Sequence, residues 1–230
     1  MIRLGASERD LVLEHVRQFR MTTQSVVAKL FCAGSDDAAR KLLSRMSDQL
    51  ASGKLHGNVR YYQLNATSAR SLGAPEEAGK PLGPQALPTA FGILGFCCLS
   101  AEKRFRYTRP EFAEDFPELV EPLGGRRYYL DHYIDRDGDT ARLGHILIDL
   151  DADVGSLVEK CREKMRAHLR RAVVKQLVLN DLVRFGLVVA EPEKKRALDE
   201  AFRRESMKIS VRVEVVEELG KIPRARDAAD

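Results

Sequence analysis

The stretch SDDAARKLLSRMSDQLASGKLHGNVRYYQL, residues 35–64, reads as a helix followed by a two-stranded hairpin. Ser35 supplies a hydroxyl N-cap, and Asp36 and Asp37 suit the positive end of the helix dipole. Leu42, Leu43, Met46 and Leu50 recur at helical spacing, which predicts a helix ended by Gly53. Lys54-Leu55-His56 and Val59 to Leu64 then flank Gly57-Asn58, a dipeptide suited to a tight turn. Upstream, Ser7 with Asp10 three residues on marks the start of a first helix, and Leu11, Val12, Val16 and Phe19 share one of its faces. Arg20-Met21 ends it. Thr22 or Thr23 caps a second helix with Val26, Val27, Leu30 and Phe31 on its buried side, and Gly34 provides the turn into the third.

Charge is concentrated in the same region. The first 65 residues hold ten Lys and Arg against six Asp and Glu, and the other 165 hold 28 of each, so the whole net charge of +4 lies here. A small basic unit ordered helix, helix, turn, helix, hairpin has the arrangement of a winged helix-turn-helix. In that arrangement the third helix enters the major groove of DNA and the hairpin touches the backbone. The residues then expected at double-stranded DNA are Arg40, Lys41, Ser44 and Arg45 on the third helix and Lys54, His56, Asn58 and Arg60 on the wing. Thr23, Gln24 and Ser25 are expected to reach phosphate from the start of the second helix. Asp36 and Asp37 oppose this, because carboxylates there repel phosphate and push base reading farther along the helix. The alternative for the same unit is an adaptor that contacts protein only.

At 230 residues the chain holds one large domain or two small ones, and 44% hydrophobic with 31% charged residues is ordinary for a soluble globular protein. No apolar run is long enough for a membrane span, and Met1 to Asp10 lacks the apolar core of a secretory signal, so a cytoplasmic location is expected. Four irregularly spaced cysteines, Cys32, Cys97, Cys98 and Cys161, suit buried thiols in a reducing compartment and lack the paired spacing of a zinc site. No metal and no cofactor are expected.

Residues 1–73 are read as the helix-turn-helix domain, with 66–73 as a short closing helix. Residues 74–124 are read as a linker plus a bridging helix over Gln85 to Ser100, and 101–124 predict no element. Residues 125–222 form an α/β domain, and 223–230 a flexible tail. Strands are expected at Arg127 to Ile134, Ala141 to Asp149, Phe185 to Ala190 and Ile209 to Val215. Helices are expected after Asp153 and over Lys194 to Arg204. The order β-β-α-β-α-β predicts an α/β sandwich with a mixed sheet. The chain as a whole is thus expected to be α/β (α+β), a winged helix-turn-helix followed by an α/β sandwich.

Two acidic segments invite metal chemistry. Asp135-Arg136-Asp137-Gly138-Asp139 begins like a calcium loop, but Ile146-Leu147 stands where the downstream Glu belongs, so a hairpin turn is the better reading. Asp149-Leu150-Asp151 at a strand end could hold magnesium for phosphodiester cleavage, with Lys160 or Lys164 assisting. A restriction-endonuclease-like site would place a lysine where Asp151 stands.

Three stretches together resemble the replication-relaxation family, winged-helix proteins of plasmids, phages and integrative elements. They are Ser7 to Phe31 with Ala39-Arg40-Lys41-Leu42-Leu43; Tyr61-Tyr62-Gln63-Leu64 through Gly73; and Ile146 to Asp151 with Lys160 or Lys164 and the later Gly186-Leu187-Val188-Val189-Ala190. The likeness is weakest between 85 and 125. It implies DNA binding tied to mobile-element maintenance, and a C-terminal domain akin to a restriction-endonuclease-like fold, without implying cleavage. Asp stands at the strand end where Glu is common in the family. The expected function is a non-enzymatic, sequence-specific DNA-binding protein, acting as transcriptional regulator or as replication or transfer accessory factor. It is expected to be a homodimer, or to hold a protein partner through the C-terminal domain. The alternative is a magnesium-dependent nuclease or nickase.

Overall fold

The computed structural model describes residues 7–102, 104–123, 128–135, 138–205 and 207–223. The chain is mixed α/β with two sheets, and its backbone contacts divide it into two units, Met1–Leu99 with Lys221–Asp230, and Ser100–Gly220. Among the described residues, no helix is long and apolar enough to cross a membrane.

In the first unit the caps fall where the sequence puts them. Ser7 and Asp10 form a reciprocal capping box on α1 (Glu8–Phe19), Thr23 caps α2 (Gln24–Phe31) and Ser35 caps α3 (Asp36–Ser44). The short β1 (Thr22–Thr23) precedes α2. The hairpin is β2 (Leu50–His56) and β3 (Val59–Leu64), and the antiparallel sheet runs β1-β3-β2. Val12, Val16, Val27, Leu42, Leu43, Met46, Leu50 and Leu64 share one core.

Two expectations need correction here. The third helix ends at Ser44 rather than at Gly53, and Leu50 to Gly53 pair with Leu64 to Tyr61. Leu50 reaches the core from either conformation, and the strand form also satisfies the backbone through the β3 ladder, so pairing overrides helical spacing. Leu30, expected inside, is 45% exposed.

Beyond β3, α4 (Ala66–Ser71) is capped by Asn65. The segment read as linker holds a 3-10 turn (Glu76–Gly79), α5 (Ala86–Leu94) and a π-helical turn (Gly95–Leu99). Ala78 of the 3-10 turn lies in the core of the first unit.

The second unit contains β4 (Arg104–Arg106), α6 (Arg109–Asp115), a 3-10 turn (Pro117–Leu119), α7 (Val120–Leu123), β5 (Tyr128–Asp135) and β6 (Gly138–Ile148). These are followed by α8 (Val154–Leu169), α9 (Ala172–Leu179), β7 (Val183–Val189), α10 (Pro192–Arg204) and β8 (Ser210–Val215). The sheet order is β4-β5-β6-β7-β8, antiparallel from β4 to β6 and parallel from β6 to β8. The expected mixed sheet is present, with β4 as an additional edge strand and with helices inside the stretch where none was predicted. Of the acidic turn before β6, residues 136–137 lie outside the described residues.

One face of this sheet, with Leu143, Leu147, Phe185, Leu187, Val189 and Val213, packs on Leu157, Cys161, Val174 and Leu198 of the helices. The opposite face carries Arg104, Arg106, Tyr129, Gly144, Ile146, Val188, Arg212 and Glu214, as the strand registers require. Arg104, whose side chain is 0% exposed, pairs with Glu214, and Arg212 pairs with Glu102 and Glu214. β4 and β8 are the two outer strands, about 19 Å apart in a flat five-stranded sheet. The pairing across that span means the sheet is coiled, with this face concave.

Close packing on the concave face rests on Gly144. A Cβ there would come within 2.0 Å of the ring of its cross-strand neighbour Tyr129, which is fully buried. Gly144→Ala is expected to destabilise the chain by roughly 1–3 kcal/mol, although alanine ordinarily stiffens the unfolded chain favourably. A urea titration reads this directly, and an unchanged or raised midpoint would contradict it.

His15 supplies a second test. It is buried on α1 with its ring 4.8 Å from Phe19 and 5.6 Å from Phe31, and Nε2 has no hydrogen-bond partner among the described residues. Burial pushes its pKa down to about 4 from the ordinary 6.5. The unfolded chain therefore takes up a proton first, and this contribution to stability is lost as pH falls from 6.5 towards 4. Burial lowers His168 as well and acts in the same direction. Through His15 wild type is expected to lose roughly 1.5 kcal/mol between pH 6.5 and pH 5. His15→Phe should flatten that dependence in denaturation curves at the two pH values, and an equal loss in both proteins would contradict the assignment.

Candidate nucleic-acid interface

The geometry of α3 follows from what it buries. Ala39, Leu42, Leu43 and Met46 face the core, so the intervening Arg40, Lys41, Ser44 and Arg45 are turned outward. The side chains of Arg40 and Lys41 are 66% and 68% exposed. Both pair with Asp37, one turn earlier, with Lys41 Nζ 2.7 Å from Asp37 Oδ2. Arg45 Nε donates to the Lys41 carbonyl at 3.3 Å.

α3 is pinned at both ends by residues that sequence reasoning did not single out for this role. From α2, the Gln24 amide donates to the Asp36 carbonyl at 3.2 Å. From α1, the Arg9 guanidinium donates to the Arg45 carbonyl at 2.9 Å, to Gln49 Oε1 at 3.2 Å and to Asp48 Oδ1 at 3.3 Å. Arg9 and Arg45 are 36 positions apart, and no local pattern announces the contact. Between α2 and α3 the chain turns through Ala33 and Gly34, both at positive φ, 48° and 85°. A glycine suits the second position because it has no Cβ to clash.

The hairpin places its own cations. Lys54 lies directly opposite Arg60, in the same alternation as Ser52 opposite Tyr62 and Leu50 opposite Leu64. Leu50 and Leu64 belong to the core that also holds Leu42, Leu43 and Met46. Lys54 and Arg60 therefore project from the helix-bearing face of the hairpin. Both are exposed, and neither has an ionic or hydrogen-bond partner among the described residues. Asn58 is exposed at the tip beside Gly57, whose φ is +46°.

Three residues expected here do not join them. Thr23 is buried, and its hydroxyl accepts from the Val26 amide and bonds Ser25 Oγ at 2.9 Å, so it is occupied in capping α2. Gln24 is committed to α3, while Ser25 is exposed. His56 pairs with Val59, which shares the face of Tyr61, so the imidazole lies on the side away from Lys54 and Arg60 with Nε2 buried. The irregularity in β2 between Lys54 and His56 makes this reversal unreadable from alternation alone.

At the acidic strand end of the second unit, Asp149 is engaged by protein groups through both oxygens. Asp149 Oδ1 accepts the backbone N–H groups of Asp151 and Ala152 at 3.0 and 2.9 Å, and Oδ2 pairs with Lys194 in the first turn of α10. Asp151 holds a positive φ of 89°, which lets the chain fold back over the carboxylate. Lys160 is exposed on α8 and Lys164 is half-buried, so the lysine at Asp149 is neither of those expected. Among the described residues, no group of three or more His, Cys, Asp or Glu is placed to hold a metal ion. The side chains of Lys194 and Asp149 are 16% and 5% exposed, so the pair ties the end of β6 to the start of α10.

Lys194→Met is therefore expected to strand a buried carboxylate and cost about 2–4 kcal/mol. Chemical denaturation measures the loss, and a change below about 0.5 kcal/mol would mark the pair as an ordinary surface contact.

Comparison with known proteins places the chain in no group: no family model matches it, and no curated protein and no solved structure matches it significantly.

Proposed function

We propose that the first unit is a winged helix-turn-helix that binds double-stranded DNA, with α3 in the major groove and the β2–β3 hairpin against the neighbouring backbone. The observation that carries this reading is the Lys54–Arg60 pair. Like charges directly opposite on an antiparallel pair repel and weaken the hairpin. A phosphate between them turns that repulsion into two charge-assisted contacts. They share the helix-bearing face of the hairpin, and α3 offers three further cations, Arg40, Lys41 and Arg45, beside the hydroxyl of Ser44.

Non-enzymatic regulation, or an accessory role in replication or transfer of a mobile element, is the function we attach to this interface. That part rests on the resemblance of the quoted motifs to the replication-relaxation family. Asp149 supports the non-enzymatic side of the reading, since both its oxygens are engaged by protein groups.

Fluorescence anisotropy with a labelled mixed-sequence duplex across a salt series tests the interface. Five cations offset by the Asp37 carboxylate act as about four phosphate contacts, so the log–log slope of affinity against salt is expected near −3.6. The double substitution Lys54→Ala with Arg60→Ala should reduce the slope by about 1.8 and weaken binding at every sequence alike. No wild-type binding at low salt, or a slope unmoved by the double substitution, would contradict the proposal.

A further inference from the structure

We propose that Asp37 is a specificity filter: an internal substitute for phosphate that occupies Arg40 and Lys41 and opposes any duplex that offers them charge alone. This rests on the duplex-binding reading above. One carboxylate engages two of the three α3 cations, Arg40 through Oδ1 and Lys41 through Oδ2. The Asp37 side chain is 55% exposed and its partners more so, which leaves the pairs water-screened and readily exchanged for phosphate.

Exchange is unequal for Asp37 itself. When phosphate takes its partners, the carboxylate stays in the first turn of α3, three and four positions from them, with its charge facing the duplex. It has little freedom to withdraw, because Ser35 caps that turn and Gln24 holds the adjacent Asp36 carbonyl. Non-cognate binding draws only on charge, so it loses one effective contact. The same loss falls on a cognate site, but its base-edge hydrogen bonds to side chains such as Arg40 and Ser44 keep it bound at concentrations where charge alone no longer holds a duplex. In the free protein Lys41 and Arg40 hold the Asp37 carboxyl below the usual carboxylate range, so it is charged when a duplex arrives.

Asp37→Asn keeps the shape and removes the charge. With the full chain and a mixed-sequence duplex, it is expected to bind about three- to tenfold more tightly at low salt, with a log–log slope steeper by about 0.9. Asp48→Asn removes a charge from the same unit but from a residue paired with Arg9, and should change both quantities less. Circular dichroism checks the fold, and Asp37→Ser gives the same reading if the Asn variant does not fold. Wild-type binding with an unchanged slope in the Asp37 variants overturns the filter and leaves the interface standing. Equal effects from Asp37→Asn and Asp48→Asn also overturn it, as a general effect of net charge. Absence of wild-type binding overturns both inferences.

Discussion

Burial of the α3 stripe is the constraint on which the candidate interface depends. Ala39, Leu42, Leu43 and Met46 close the core of the first unit against α1, α2 and the roots of the hairpin. A helix that commits those positions inward has no choice about Arg40, Lys41, Ser44 and Arg45. The same core takes Leu50 and Leu64 from the hairpin, and strand alternation carries that orientation out to Lys54 and Arg60. Helix and hairpin cations are thus oriented by one packing event. Arg9 and Gln24 then fix the two ends of α3, so its exposed side is held on a rigid element.

Both units carry weak ion pairs within single helices, and the second adds pairs with a buried member between distant elements. In the first, most ion pairs are exposed and lie within one helix, where each is weak and exchangeable. In the second, Arg104 with Glu214 and Asp149 with Lys194 each set a buried group against a half-buried partner and join distant elements. Pairs of this kind fix geometry more than they add stability, because desolvation opposes the attraction. One pair spans the coiled sheet from β4 to β8, and the other locks a strand end to a helix start.

Much of the fold was legible because its signals are local. Ser7, Thr23, Ser35 and Asp153 cap the helices that their positions announce, and Gly57-Asn58 marks the hairpin. What escaped was set by partners far away in sequence. α3 was expected to run to Gly53 because Leu50 fits the helical spacing, and only the ladder to β3 makes it a strand. β4 is three residues with two arginines, and its Arg104 finds Glu214 at a separation of 110 positions. His56 suits the wing by residue type, whereas the irregularity beside it turns the ring to the other face. Thr23 suits both a cap and a phosphate contact by residue type, and its burial as the cap of α2 takes its hydroxyl away from the second role.

The most direct test of the account is chemical modification of surface lysines, read by mass spectrometry with and without a duplex. Lys41, Lys54, Lys175 and Lys208 are all exposed in the free protein. Duplex is expected to protect Lys41 and Lys54 together and to leave Lys175 and Lys208 as reactive as before. Protection of the second pair alone, or of neither, would contradict a duplex held between α3 and the hairpin.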